Sequence, residues 1–188
     1  TRWLYLASGY YDYDEPYRAD ISGLADFGGT VVHPQFWPEK LDYRGRQVVV
    51  IGSGATAVTI VPGMAQCAAR VTMLQRTPTW MAAGPRRDIW AELLARCLPR
   101  QLAARLAREK NIRLNDYVFK LSRRKPEKVA DKLGRMLRDE LGDLYRTEHF
   151  EPPYGPWQQR LCLVPDGDLF AALKNGDAHI VTDTIAGF

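Results

Sequence analysis

The 188 residues suffice for one domain with a real core, or for one domain plus an insertion. Hydrophobic content of 46% and charged content of 26% are ordinary for a soluble globular protein, and no apolar run approaches the roughly 20 residues of a membrane span. The net charge of +4 is uneven: residues 86–138 hold sixteen Lys/Arg against six Asp/Glu, a local +10, so the remainder is net −6.

The chain opens on "TRWLYLASG", an apolar strand-like run already in progress, without an initiator Met or a signal peptide. It stops at "IVTDTIAGF", so both ends read as cut from something larger. "SGYYDYDEPY" follows as a turn-rich, aromatic and acidic loop. Residues 27–38, "FGGTVVHPQFWP", suit neither a helix nor a strand. Gly28–Gly29 frees the backbone while Pro34 and Pro38 fix φ and remove donors, so the segment is a shaped connector. "RQVVVIGSGATAVTIVPGMAQCA" then predicts a buried parallel strand over Gln47–Ile51, a tight glycine turn, and a helix from about Ala55. Val58, Val61 and Ala65 share one apolar side of that helix, which Pro62–Gly63 should kink or shorten. "RVTMLQR", Arg70–Arg76, is the second strand.

From Asp88 to Leu141 only helical spacing remains. Val129, Leu133 and Leu137 fall at i, i+4 and i+8, with Met136 beside them and Pro126 suited to a first turn. This is a basic helical insertion. The α/β pattern resumes at Tyr154: "RLCLVP" is extended, Asp168 is a candidate N-cap for a helix over Leu169–Lys174, Asn175–Gly176 ends it, and "HIVTD" is a further strand. The fold class is α/β, a Rossmann-like dinucleotide-binding domain interrupted by a basic helical insertion. Its segments are 1–46 (linker and fingerprint), 47–84 (first part of the nucleotide domain), 85–153 (insertion) and 154–188 (second part).

"VVVIGSGATA" places G-x-G-x-x-A between a strand and a helix, the context in which that weak pattern gains meaning. Gly52 permits the tight turn, Gly54 lets backbone approach a pyrophosphate, and Ala57 keeps helix close to strand. Ser53, Ala55 and Thr56 complete the phosphate-facing turn at the helix N-terminus. The bland alternative is a glycine turn with no ligand. An NAD site usually places an acid at the end of the second strand; here "QRTP" supplies Arg76 and Thr77 instead. An acid would repel a 2′-phosphate, whereas a guanidinium binds it bidentately, so NADPH is the expected cofactor. The alternative for Arg76 is a strand-end surface charge.

Phe27, Gly29, His33, Trp37 and Pro38 match F-x-G-x-x-x-H-x-x-x-W-P, and the chain resembles Baeyer–Villiger monooxygenases, class B flavoproteins in which this fingerprint precedes the second dinucleotide fold. "LASGYYDYDEPY" resembles the A-T-G-type linker of that family, with Ser8 where Thr is common. "VTMLQRTPTW" and "YGPWQQRLCLVPDGDLF" look most like an actinobacterial subgroup. The resemblance covers the whole chain and implies an NADPH-binding domain of an FAD-dependent enzyme. Such an enzyme inserts one oxygen atom of O₂ into ketones, giving esters or lactones, through a peroxyflavin. FAD would be held mainly by segments absent from these residues, since no second, FAD-type G-x-G-x-x-G occurs. The fragment alone would be inactive.

On residues alone, His33 is a satisfied loop histidine and Arg160 a surface arginine beginning a strand. The resemblance implies instead that His33 organises the link and that Arg160 reaches over the flavin and stabilises the peroxyflavin anion. Gln159 stands where some relatives carry Lys, leaving more of the 2′-phosphate selectivity on Arg76.

Three alternatives stay open. The same scaffold oxygenates sulfur or nitrogen, so the small-molecule substrate is a ketone or a sulfur-containing compound. A flavin-independent nicotinamide module is the second, though no Tyr-x-x-x-Lys pair or metal-ligand cluster supports it. The third concerns the basic insertion: nucleic acid is not expected as a partner, a solvated helical face is the plainest account, and peripheral contact with an anionic membrane is the alternative. Cys67, Cys97 and Cys162 are odd in number and form no C-x-x-C, which points away from disulfides or zinc and toward the cytoplasm.

Overall fold

The computed structural model describes residues 2–7, 9, 12–17 and 19–188, so Ser8 of the A-T-G-type linker lies outside the described residues. Two compact units divide the chain. The first is Thr1–Asp42 with Thr184–Phe188, and the second is Tyr43–Asp183.

In the first unit, two short 3-10 turns, Leu24–Asp26 and Pro34–Phe36, shape the connector. The F-x-G spacing has a steric cause: a Cβ on Gly29 would come to 2.6 Å from ring carbons of Phe27, which folds back over it. The Phe27 ring meets Phe188 edge-on at 5.3 Å. His33 begins the second turn, its Nδ1 accepting from the Gln35 N–H at 3.2 Å. The Gln35 amide donates in turn to Asp12 O and Tyr13 O, each at 2.9 Å.

The second unit holds two parallel sheets. Strands β1 (Gln47–Ile51) and β2 (Arg70–Gln75) pair with each other and β2 pairs with β5 (Ala178–Thr182), in the order β1-β2-β5. Strand β3 (Trp80–Gly84) pairs with β4 (Leu161–Pro165). Val50, Met73 and Ile180 lie in one row across the first sheet. That face packs on helices α1 (Ala55–Ala65) and α6 (Asp168–Lys174), and Val58, Val61, Val71, Met73, Leu169 and Phe170 are sealed from solvent. Alternation at period two explains why Val48 and Val50 are half-buried while Val49 and Ile51 stay exposed.

Helices α2 (Ile89–Cys97), α3 (Arg100–Arg124) and α4 (Pro126–Leu141) lie between β3 and β4, and a single turn, α5 (Thr147–Phe150), leads back toward β4. The expected spacing on α4 holds: Leu133 and Leu137 are buried, with Pro126 in the first turn, whereas Met136 is 43% exposed. Glu140 of α4 pairs with Lys174 of α6 at 2.6 Å.

Three local expectations change. Strand β2 ends at Gln75, and Arg76 opens the following turn. Helix α1 starts at Ala55 as expected, carries Pro62 inside it and ends three residues later. Gly167 (φ 70) takes the cap position of α6, and Asp168 is its first residue, Oδ1 accepting from its neighbour Leu169 N. A left-handed Asp166–Gly167 turn, pinned by Asp166 N–H to Gly84 O at 2.7 Å, starts that helix one residue early. Strand β3 was not expected at all: Trp-Met-Ala-Ala-Gly has weak strand propensity, and pairing with β4 supplies what propensity lacks.

Candidate nucleotide-binding site

The continuous apolar run of β1 delivers the chain to Gly52, whose N–H donates to Leu74 O at 2.8 Å. Gly52 sits at φ 136, a backbone conformation that side chains strain, although the space around it is open. Gly54 differs. Its backbone is extended, and the Arg160 guanidinium lies directly over it, Nη1 occupying the space that a Cβ would enter. Helix α1 begins directly afterwards with no side-chain cap, and Ala55 and Thr56 are exposed. Its first N–H groups are therefore open to an anion, with the helix dipole behind them.

Two strands of the second sheet start where the first sheet ends. Strand β3 begins just after the loop 76–79 that leaves β2, and Arg160 stands immediately ahead of β4. The carboxyl ends of β1 and β2 thereby meet the amino ends of β3 and β4 at the glycine turn. Arg76 and Arg160 are both exposed, and among the described residues neither is in an ion pair. The Arg160 charge also acts on buried Cys162, only partly offsetting the burial that pushes that thiol up.

Ser53 is placed less simply. Its hydroxyl donates to Thr77 O at 3.0 Å and accepts from Thr79 Oγ1 at 3.1 Å, so its proton is committed inside the protein. Thr77 is half-buried and held through this carbonyl. Tyr154 clamps the same loop from its other side: its hydroxyl donates to Pro78 O at 3.1 Å, and its carbonyl accepts from the Trp80 indole at 2.8 Å. Residue-level reasoning passed over Thr79 and Tyr154, because their partners are chosen by tertiary packing. Gly52, Ser53, Gly54, Ala55, Thr56, Arg76, Thr77 and Arg160 all belong to the second unit, whereas His33 belongs to the first.

A buried polar knot sits behind the site at the ends of β2 and β5. Gln75, fully buried, donates through Nε2 to His149 O at 2.9 Å and to Thr182 Oγ1 at 2.8 Å. His149 Nδ1 shares a hydrogen bond with the same Thr182 hydroxyl at 2.8 Å. Burial holds the His149 pKa below its ordinary value, with Glu148 pulling the other way and Arg146 adding to the depression. Among the described residues, Gln75 Oε1 has no partner. No cluster of His, Cys, Asp and Glu able to hold a metal occurs among them, and no helix is long and apolar enough to cross a membrane.

No protein-family model matches the chain. Over 188 residues it is 47% identical to the FAD-containing monooxygenase EthA of Mycobacterium tuberculosis, an alignment covering 99% of this chain and 38% of that protein. It is 44% identical over 182 residues to the probable FAD-binding monooxygenase AlmA of Acinetobacter baylyi, covering 96% and 36% respectively. The chain thus spans under two-fifths of the length of these curated relatives. Its fold is that of solved Baeyer–Villiger monooxygenase domains. It superposes on OTEMO in complex with FAD and NADP with a TM-score of 0.65 at 19% identity, covering 88% of this chain and 38% of that one. Oxidized steroid monooxygenase bound to NADP gives 0.64 at 17% identity, covering 89% and 39%. The resemblance to flavin-dependent monooxygenases expected from the fingerprint is therefore confirmed.

Proposed function

We propose that these residues are the NADPH-binding domain of an FAD-dependent monooxygenase that inserts one oxygen atom of O₂ into ketones, forming esters or lactones. The observation that carries this reading is the arrangement at Gly54. An uncapped helix start and an unpaired guanidinium meet over a glycine whose missing Cβ leaves the space. These features fit a nicotinamide dinucleotide: backbone N–H groups of 53–56 hold the pyrophosphate, and Arg76 with Thr77 hold the 2′-phosphate. The chain holds a single G-x-G-x-x-A turn, so FAD rests mainly on residues other than these.

Bound FAD would supply the hydride acceptance and the O₂ activation that this reaction needs. Arg160 contributes a cation over the glycine turn, available to negative charge that develops there. His33 keeps the connector in shape through its bond to Gln35 and moves no proton. The substrate is a small ketone or a sulfur-containing compound, and the enzyme works in the cytoplasm.

Nucleotide titration of the 188-residue chain tests the core of this reading. NADPH should bind well ahead of NADH, and Arg76→Ala should weaken NADPH by about 10- to 100-fold with little change for NADH, the scale of a charge-assisted hydrogen bond. Equal weakening of both would remove Arg76 from the 2′-phosphate.

The insertion favours a second role, peripheral contact with an anionic membrane. The outer face of α2 presents Ile89 and Trp90 at 73% and 65% exposure, with Leu93 one turn on and exposed Arg87, Arg96 and Arg100 around them. An apolar stripe with a basic border matches an acidic lipid surface. Flotation with phosphatidylglycerol vesicles, lost in Ile89→Ser/Trp90→Ser and absent with phosphatidylcholine, is expected. Self-association lost in that variant would instead assign the stripe to a second copy.

A further inference from the structure

We propose that preference for the 2′-phosphate is set by a hydrogen-bonded strap, in which Ser53, Thr79 and Tyr154 are positioning residues that fix where Arg76 starts. The proposal rests on the reading that the glycine turn binds NADPH.

An exposed arginine on a mobile loop must lose many conformations before it grips a ligand, and that loss weakens the contact. Here the backbone on both sides of Arg76 is pinned. Leu74 O accepts from Gly52 N–H at 2.8 Å, Thr77 O from Ser53 Oγ at 3.0 Å, and Pro78 O from the Tyr154 hydroxyl at 3.1 Å. Pro78 adds a fixed φ and needs no donor partner.

The hydroxyls form a one-way relay. Thr79, only 3% exposed, donates to Ser53, and Ser53 donates to Thr77 O. Each proton has one destination. Ser53 cannot turn its proton toward a phosphate without releasing the Thr77 carbonyl and stranding the Thr79 hydroxyl in a buried setting. Gly52 and Ser53, at the start of the turn assigned to the pyrophosphate, thus also anchor the Arg76 loop. The distance between the two phosphate seats becomes a property of the protein before any ligand arrives. A dinucleotide lacking the 2′-phosphate uses only the first seat and does not sense the strap.

The test measures binding of 2′,5′-ADP and of 5′-ADP to the 188-residue chain by calorimetry. Thr79→Val exchanges a hydroxyl for a methyl at nearly constant volume, and Tyr154→Phe removes only the Pro78 donor. Each should weaken 2′,5′-ADP by about 3- to 10-fold, the scale of one neutral hydrogen bond, and leave 5′-ADP within about twofold. Thr79→Ser should restore the wild-type ratio. Parallel loss for both nucleotides would make these residues merely structural, and unchanged ratios in both variants would show that loop position does not limit recognition. Either outcome overturns the strap while the NADPH reading stands. A wild-type chain that fails to prefer 2′,5′-ADP overturns both. Tyr154→Phe reports from outside the relay, so misfolding of the Thr79 variant does not decide the matter.

Discussion

Helices α1 and α3 belong to one compact unit and are built on opposite terms. Five of the eleven residues of α1 are buried and none of its residues is charged, whereas α3 buries only Ala103, Ala107 and Ser122 of its twenty-five. The first is held by apolar burial against the sheet. The second is tied to the start of α2 by charge: Lys110 reaches Asp88 at 2.6 Å, and Asn111 reaches the same carboxylate at 3.1 Å. Asp88 also caps α2 through Trp90 N and Ala91 N. The glycine turn thus sits on the apolar, buried part, and the charged hairpin is held mainly at its surface.

The sharpest way to break that contrast is truncation on each side. Phe170→Ala, at a fully buried position, should cost about 3–5 kcal/mol by urea unfolding, the loss expected when an aromatic leaves a packed core. Leu106→Ala, 42% exposed on α3, should cost under about 0.5 kcal/mol. Similar costs would mean the hairpin is as tightly integrated as the sheet.

Acid should separate the two regions next. His149 is kept neutral by burial, so its contribution is complete above the ordinary histidine value of 6.5 and lost as pH falls through its lower folded value. Urea midpoints should therefore drop from pH 7 toward 5, and His149→Asn should flatten that slope. A slope unchanged in the variant would place the pH response elsewhere.

The smallest effect belongs to the hairpin. Lys110 and Asn111 hold the Asp88 carboxyl down at about 2, from an ordinary 3.8, so its stabilisation persists above the ordinary value and disappears as pH falls to about 2. Trp90 fluorescence should report a loosening of α2 in that window. Asp88→Asn, which keeps a cap acceptor but loses the ion pair, should remove the acid step and leave helix content at neutral pH nearly intact. A step that survives the substitution would assign it to another carboxylate.

What the sequence showed divides along the same line. The glycine turn was legible because its cause is local: a β-branched run, a residue at φ 136 and an uncapped helix start are consecutive. The Leu133 and Leu137 periodicity revealed α4 for the same reason. Strand β3 was hidden because its partner β4 lies beyond the whole insertion. The meeting of Arg160 with Gly54 was equally remote, and only the family resemblance marked that arginine as functional. Thr79 and Tyr154 carried no signal, since a threonine in a loop and a tyrosine before a proline-rich turn look ordinary until packing pairs them.

The sheet order has a consequence for how the molecule forms. Strand β2 pairs with β1 across a short helix, yet Gln75 waits 107 positions for Thr182. On a ribosome adding about 5–20 residues each second, β1, α1 and β2 emerge as a half-built sheet with one raw flank for roughly 5–20 s. Such a flank recruits any extended chain nearby. The flank of β2 is closed only when residues 178–182 arrive to pair with 71–75, so the last strand of the chain completes the sheet that the glycine turn rests on.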